Sequence, residues 1–226
     1  MSAQYPARQS PSPNPATMPP RQLSTLFTSL SRESRRWSLT RILHSNNPMD
    51  IQGELRGTAT FKPLERVTGT GTGTDRDMVY REEGEMPSTV GMGMAGLRWS
   101  KKYIWRLSEG GEMSVWFVKV GGSKGSDEEE ADYLFHKFDF KDGSAEDSDA
   151  AAGEDMFVAA PVPPAAVGDT AVLTARGNHL CINDMYRTAY AFRIRPESGE
   201  VLSWSSRHVV KGPKKDQDIV NVYEST

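Results

Sequence analysis

The sequence predicts an all-β protein, an antiparallel barrel of about nine to ten short strands preceded by one short helix. Ten segments with alternating apolar and polar residues follow one another along the chain, a pattern typical of strands with one buried face. Turn sequences such as Asn46-Asn-Pro48, Glu109-Gly-Gly111 and Glu197-Ser-Gly199 separate several of them. A meander of this length exposes two edges unless it closes, so we expect a barrel.

The helix and the strands can be placed by their periodicity. Leu23, Leu26, Phe27 and Leu30 recur at helical spacing and predict an amphipathic helix over residues 21–33. The period then changes to two, and the first strand is expected over residues 37–43. The remaining strands are expected over residues 53–61, 78–85, 98–107, 113–120, 133–138, 171–182, 186–195, 201–210 and 218–224.

The chain divides into a tail and one domain. Residues 1–20 form a Pro/Ser-rich tail that is expected to be disordered, and residues 21–226 form a single β-barrel domain. Within it, residues 121–131 and 141–168 are acidic or low in complexity and are expected to leave the sheet as solvated loops. A lid over a pocket is the alternative interpretation of these two insertions.

The amino-acid composition indicates in which compartment of the cell the protein is expected. Cys181 is the single cysteine, which excludes an intramolecular disulfide and favours a reducing, cytoplasmic location. Residues 1–32 carry three arginines and no acidic residue, as mitochondrial targeting peptides do, but six prolines oppose the helix that such peptides form. Mitochondrial targeting therefore stays as the alternative. No apolar run approaches the roughly 20 residues that span a bilayer, and no membrane association is expected.

Charge is unevenly distributed along the chain. The net charge is −3, but residues 121–155 hold twelve acidic residues and three lysines, so the remainder carries +6. This mildly basic body suits an anionic small molecule. It is too weakly basic to predict a nucleic-acid partner, and the turn at residues 211–216 is one basic turn and not a patch.

One glycine-rich motif is rejected as a cofactor site. Gly91-Met-Gly93-Met-Ala-Gly96 satisfies the dinucleotide fingerprint, which needs a strand before it and a helix after it. A strand-like sequence follows instead. No cofactor is expected.

Metal and nucleophile chemistry are weighed at His179 and Cys181. The two residues share a strand face, but Asp184 has the opposite parity and His136 is distant in sequence, so no metal site is expected. Side chains two apart on a strand project in parallel, which disfavours a catalytic Cys–His pair. A structural polar network joining histidine, aspartate and tyrosine is the favoured interpretation.

Five motifs, in order, resemble those of one protein family. They are Tyr80-Arg-Glu82-Glu-Gly84, Lys102-Tyr103-Ile-Trp105, Phe135-His136-Lys-Phe-Asp139, His179-Leu-Cys181-Ile-Asn-Asp184-Met-Tyr186 and Val210-Lys-Gly212-Pro213-Lys-Lys215-Asp216. The family is domain of unknown function 6314, which is similar to the lipocalin-like, or calycin, barrels. The resemblance implies such a barrel from about Arg36 to Tyr223 and a shared residue set, but no reaction.

The chain departs from the family pattern at the rim of the barrel. Gln217 stands where the family has an aromatic residue, and an acidic insertion between Phe117 and Phe135 replaces a compact turn. Arg35-Arg36-Trp37 replaces the family's Gly-x-Trp opening.

A ligand cavity inside the barrel is the leading functional hypothesis. Arg41 shares strand parity with Trp37 and Leu39, so it is expected to point inward, where a guanidinium needs a carboxylate or an anionic ligand. Glu82 and Asp184 are the candidate protein partners. Ligand contact and neutralisation by protein stay open for Arg41. The predicted ligand-binding residues are Arg41, Tyr80, Glu82, Tyr103, Trp105, His136, His179, Tyr186 and Trp204.

Three functions are therefore carried forward. The first is binding of a small, partly apolar and anionic ligand. The second is an enzyme that uses His179, Asp184 or Tyr186 for proton transfer in isomerisation, cyclisation or hydrolysis. The third is a scaffold whose acidic loops bind a partner while its own side chains fill the barrel.

Overall fold

The computed structural model describes residues 20–32, 35–64, 75–86, 96–120, 129–141, 158–213 and 215–226. Over these residues the chain forms one helix and eleven strands. They are α1 (Pro20–Ser29), β1 (Arg36–Ser45), β2 (Gly53–Leu64), β3 (Arg76–Glu85), β4 (Arg98–Leu107), β5 (Met113–Val118), β6 (Ala131–Lys137), β7 (Asp139–Lys141), β8 (Ala171–Cys181), β9 (Asp184–Ile194), β10 (Val201–Lys211) and β11 (Asp216–Ser225).

All eleven strands belong to one antiparallel sheet, in the order β6-β5-β4-β3-β2-β1-β11-β10-β9-β8-β7. Two meanders, β1–β6 and β7–β11, are joined because the first strand pairs with the last, with Arg41 opposite Asn221. Strand β6 continues into β7 through Phe138, and β7 pairs with β8. The two ends of the sheet thus meet in a nearly closed barrel, which confirms the predicted fold class.

Helix α1 closes one end of the barrel. Its apolar residues Leu23, Leu26 and Phe27 are buried. Ser29 Oγ accepts a hydrogen bond from the Val201 amide at 3.0 Å, and Trp37 Nε1 donates to the Leu30 carbonyl at 3.1 Å. Strands β1 and β10 begin at this end, which we call the closed end. We call the opposite end, where β1 and β10 finish, the open end.

Aromatic side chains fill the closed half of the barrel. Trp204 stacks on Tyr223 with ring centroids 3.5 Å apart, and Trp37 meets Trp204 edge-on at 6.4 Å. Phe61 packs edge-on against Trp105 at 5.0 Å. Such pairs add to the stabilisation from burial and fix the side chains in one arrangement. The cavity described below therefore has a rigid floor.

Part of the second predicted loop packs against the barrel. Residues 142–157 lie outside the described residues, but residues 158–166 run along the outside of β9 and β10. Ser203 Oγ and Arg193 Nε donate to the Pro164 carbonyl at 2.6 and 2.8 Å, and Ser205 Oγ donates to the Pro161 carbonyl. These outward-facing serines are consequently buried. The predicted tail, the first acidic insertion up to residue 128 and most of the rejected glycine motif also lie outside the described residues.

Several element boundaries differ from the sequence predictions, and three of the differences have a local cause. Helix α1 ends at Ser29 and not at residue 33, because the next turn tightens, with the Leu30 amide bonded to the Phe27 carbonyl. Strand β7 has three residues, too few for a periodic pattern. Strand β8 ends at Cys181, because Ile182 lies in a turn with φ of 56°. In the described part of the chain, no helix is long and apolar enough to cross a bilayer.

The helix should contribute measurably to stability. Leu26 is fully buried, so we expect Leu26→Ala to lower the free energy of unfolding by about 2–5 kcal/mol. Arg21→Ala, on the exposed face, should change it by less than about 0.5 kcal/mol. Urea unfolding of both variants measures the difference. Equal, small effects would show that α1 does not seal the barrel.

Candidate functional site

A cavity of about 270 Å³ lies inside the barrel. Its volume is just below the roughly 300–1,000 Å³ typical of small-molecule sites, so any ligand must be small. The lining residues come from eight strands and from the turn between β10 and β11. They are Arg41, Tyr80, Glu82, Lys101, Tyr103, Trp105, Val115, Phe117, Phe135, Tyr186, Tyr190, Trp204, Ser206, His208, Val210, Lys215, Gln217, Ile219, Asn221 and Tyr223.

A buried ion pair forms one wall of the cavity. Arg41 Nη2 lies 2.6 Å from Glu82 Oε2, and Arg41 Nε donates to Asn221 Oδ1 at 2.6 Å. The three residues are at most 4% exposed. Burial opposes ionisation of Glu82, but the charges of Arg41 and Lys101, together with the hydrogen bonds from Tyr80 and Arg41, outweigh it and lower the pKa of the carboxyl. Arg41 therefore has a carboxylate partner within the protein, and ligand contact by Arg41 stays a prediction.

Two tyrosines complete the coordination of Glu82. Tyr80 Oη donates to Glu82 Oε1 at 2.6 Å, and Tyr223 Oη donates to the same oxygen at 3.2 Å. Burial and the adjacent carboxylate raise the pKa of both phenols, so both stay protonated and serve as donors. Asn221 Nδ2 extends the network to Ser206 Oγ at 2.9 Å. Three hydrogen bonds thus engage both oxygens of the carboxylate.

The Tyr-x-Glu-x-Gly motif follows from strand alternation in β3. Tyr80, Glu82 and Gly84 point to the same side, and a Cβ atom at Gly84 would lie 2.6 Å from Cζ2 of Trp99. The glycine is needed because the Trp99 indole occupies the space above it. The guanidinium of Arg41 lies 5.3 Å from the centroid of that ring. Trp99 therefore packs against the ion pair from the β4 side.

Lys101 is a cation of the cavity that was not predicted from the sequence. It is opposite Glu82 in the β3–β4 register and shares its strand face with Tyr103 and Trp105. Among the described residues, its amine has no hydrogen bond and no carboxylate within 4.0 Å. Partial desolvation and the nearby charge of Arg41 lower the pKa of Lys101, although the residue is exposed to solvent. Lys102 points outward and pairs with Glu129.

Aromatic rings form a second wall. Phe135 is central: its ring centroid lies 6.0 Å from Tyr103, 5.0 Å from Phe117 and 5.7 Å from Tyr186. The cavity thus combines an apolar, aromatic side with the polar side built around Glu82. This combination suits a ligand that is itself apolar at one end and polar at the other.

His136 lies behind the cavity lining. Its Nδ1 faces the Lys137 carbonyl at 3.3 Å, and its Nε2 faces Tyr190 Oη at 3.0 Å. Because a carbonyl only accepts, Nδ1 carries the proton. Burial lowers the pKa of His136 to about 4, so Nε2 is unprotonated near neutral pH and accepts from Tyr190. The histidine orients a tyrosine that does line the cavity.

The turn at residues 211–216 is attached to the start of β9. Lys215 Nζ lies 2.9 Å from Asp184 Oδ2 and donates to Tyr186 Oη at 2.8 Å. Gly212 packs against the Asp184 carboxylate with no room for a Cβ atom. The two C-terminal motifs of the sequence are therefore two halves of one contact at the open end.

The predicted site residues fall into two groups. Arg41, Tyr80, Glu82, Tyr103, Trp105, Tyr186 and Trp204 line the cavity. His136 and His179 are not among the lining residues. His179 lies between the rings of Phe135 and Tyr186, and its Nε2 is buried without a hydrogen-bond partner among the described residues. Ligand contact stays a prediction for all nine.

The predicted catalytic residues are not brought together at the cavity. Tyr186 lines it, Asp184 is paired with Lys215, and His179 packs between rings. Within the described ranges, no three side chains of His, Cys, Asp or Glu are arranged to hold a metal ion.

Strand parity was the signal that would have identified Lys101. It stands two residues before Tyr103 and four before Trp105, both of which were predicted to face inward. Asn221 and His208 carried a weaker signal, because their place opposite other strands depends on the register of the barrel.

One protein family matches the chain. The model of a family of unknown function (DUF6314) matches residues 34–225, which includes all eleven strands of the barrel. No curated protein matches it.

Stability should fall in mild acid because of the neutral histidine. The pKa of His136 is lowered from 6.5 to about 4, so the unfolded state binds more protons between these values. The free energy of unfolding should fall between about pH 7 and about pH 4.5, and we expect this fall to be about 2–3 kcal/mol smaller in His136→Gln than in the wild type. Urea unfolding at both pH values measures this loss. His44→Gln, on the exposed side of β1, is the control and should leave it unchanged; equal losses in all three proteins would contradict the burial of a neutral His136.

The contact between the two C-terminal motifs gives a second prediction. Gly212→Ala forces a Cβ atom against Asp184 and should cost about 1–3 kcal/mol of unfolding free energy. Gly110→Ala is the matched control, because its Cβ atom would meet nothing closer than Ser108 Oγ at 3.7 Å. If thermal unfolding gives the same midpoint for both variants, Gly212 is not packed against Asp184.

Proposed function

The chain belongs to this family of unknown function, and we propose that it binds a small, partly apolar, anionic ligand in the cavity of a lipocalin-like barrel. The proposal is supported by the aromatic wall, which suits the apolar part, and by the basic group at the cavity, which suits the anion. A cytoplasmic location fits its single thiol.

The observation that carries the proposal is that Lys101 lines the cavity without a carboxylate partner among the described residues. Arg41 has a carboxylate partner at 2.6 Å and Lys215 has one at 2.9 Å. Lys101 lines the same cavity, and among the described residues its amine has no such partner. An anionic ligand would neutralise the positive charge of Lys101 in this wall. The anion-binding role that the sequence suggested for Arg41 therefore moves to Lys101.

The two alternative functions are less well supported by the geometry. An acid–base enzyme that uses His179, Asp184 or Tyr186 would need these groups to face the cavity, and of the three only Tyr186 is among its lining residues. A scaffold with a filled barrel would leave no space of about 270 Å³. We therefore place ligand binding before both alternatives.

A matched pair of probes tests the proposal. 3-Phenylpropanoate and 3-phenylpropanol have the same apolar body, and only the first is anionic. Trp105 and Trp204 line the cavity, so tryptophan fluorescence is the readout. We expect saturable binding with a preference for the anion, and Lys101→Met should weaken its binding about tenfold, equivalent to about 1.4 kcal/mol.

Lys102→Met is the control for this experiment. Lys102 is adjacent in sequence but points outward, so its removal should leave both affinities unchanged. Native mass spectrometry of the protein purified from its host should also show a retained small molecule. The proposal is wrong if neither probe binds, or if both lysine variants weaken binding equally.

A further inference from the structure

We propose that the Lys101 amine forms a reversible imine with a small apolar aldehyde or ketone held in the cavity. This inference rests on the proposed function, because the carbonyl compound must first enter the ligand site. It adds an activity: covalent capture of a ligand by an internal lysine.

The first support is position. Lys101 lines the cavity on the same strand face as Tyr103 and Trp105, so its amine and an aromatic surface border the same space. A carbonyl compound with an apolar body can pack against the rings while its carbonyl carbon approaches Nζ. Holding the two reactants together in this way favours the addition step.

The second support is the lack of a competing carboxylate. Glu82 is opposite Lys101 in the strand register, but Arg41 takes one of its oxygens and Tyr80 and Tyr223 take the other. A lysine paired directly with a carboxylate is held in the protonated form, which is not nucleophilic. Glu82 does not pair with Lys101 in this way, since among the described residues its ion pair is with Arg41.

The third support is electrostatic. Partial desolvation and the neighbouring Arg41 charge both disfavour the ammonium, and they outweigh the attraction of Glu82. Lysines near another cation in a partly apolar site are the ones that serve as Schiff-base nucleophiles. The two forms of the amine have different uses: the ammonium pairs with an anion, and the neutral amine attacks a carbonyl.

The reaction balances without any further reagent. The lone pair of Nζ forms a bond to the carbonyl carbon, the C=O π electrons move to oxygen, and the proton lost from nitrogen passes to that oxygen. The carbinolamine then loses water, as the second nitrogen proton leaves with the hydroxyl group, to give the C=N bond. Amine and carbonyl compound become imine and water, and hydrolysis reverses the step.

Reductive trapping tests the proposal. The full chain is incubated with less than one equivalent of 3-phenylpropanal, reduced with borohydride, digested and mapped by mass spectrometry. We expect the secondary amine mainly on Lys101, with at least about tenfold less on Lys102, because Lys101 borders the cavity that holds the aldehyde, whereas Lys102 points outward and pairs with Glu129. Lys101→Met should abolish the main adduct, and Lys102→Met should not.

Two outcomes would overturn the inference. The first is modification of Lys101 and Lys102 to the same extent. The second is absence of an adduct on Lys101 in wild-type protein that binds 3-phenylpropanoate, which leaves the cavity function intact but excludes the imine. Failure of both the acid and the aldehyde to bind would overturn the proposed function together with the inference. The peptide map of the wild-type protein decides the result, so the test does not depend on whether a variant folds.

Discussion

The rest of the candidate site depends on the buried ion pair between Arg41 and Glu82. Two charges removed from water stay stable only when each is fully coordinated, and here the pair is 2.6 Å apart with Asn221, Tyr80 and Tyr223 as further partners. This requirement fixes three strands relative to one another, because the groups come from β1, β3 and β11.

The ion pair also determines which lysine is available. Glu82 binds Arg41 and two phenols, and it makes no direct ion pair with Lys101 among the described residues, although the two residues are opposite each other in the sheet. Lys101 therefore borders the cavity as a cation without a close carboxylate partner in the described structure. The proposed anion binding and the proposed imine both result from this arrangement.

Much of the site could be predicted from strand alternation alone. Parity by itself places Arg41, Glu82 and the aromatic residues on the inner face of the barrel. The alternation of inward and outward side chains is interrupted in β6, where the pairing with β5 shifts register next to His136. This irregularity buries both Phe135 and His136, though strict alternation would bury only one of them. Phe135 consequently lines the cavity and His136 lies behind it.

The partners of the charged residues could not be predicted from sequence. Glu82 and Asp184 were equal candidates for Arg41, and the choice depends on which strands are neighbours. Asp184 instead meets Lys215, from the basic turn between β10 and β11. The first contact depends on the strand order β1-β2-β3 and the second on the pairing of β9 with β10, and no local pattern encodes which charged groups then meet.

A double-mutant cycle on the ion pair shows whether the two charges depend on each other. The free energy of unfolding is measured for Arg41→Met, Glu82→Leu and the double variant. We predict that each single change costs about 3–5 kcal/mol, because it leaves a buried charge unpaired, and that the double change costs much less than their sum. Additive effects, within about 0.5 kcal/mol, would contradict this prediction and show that the two charges do not stabilise each other.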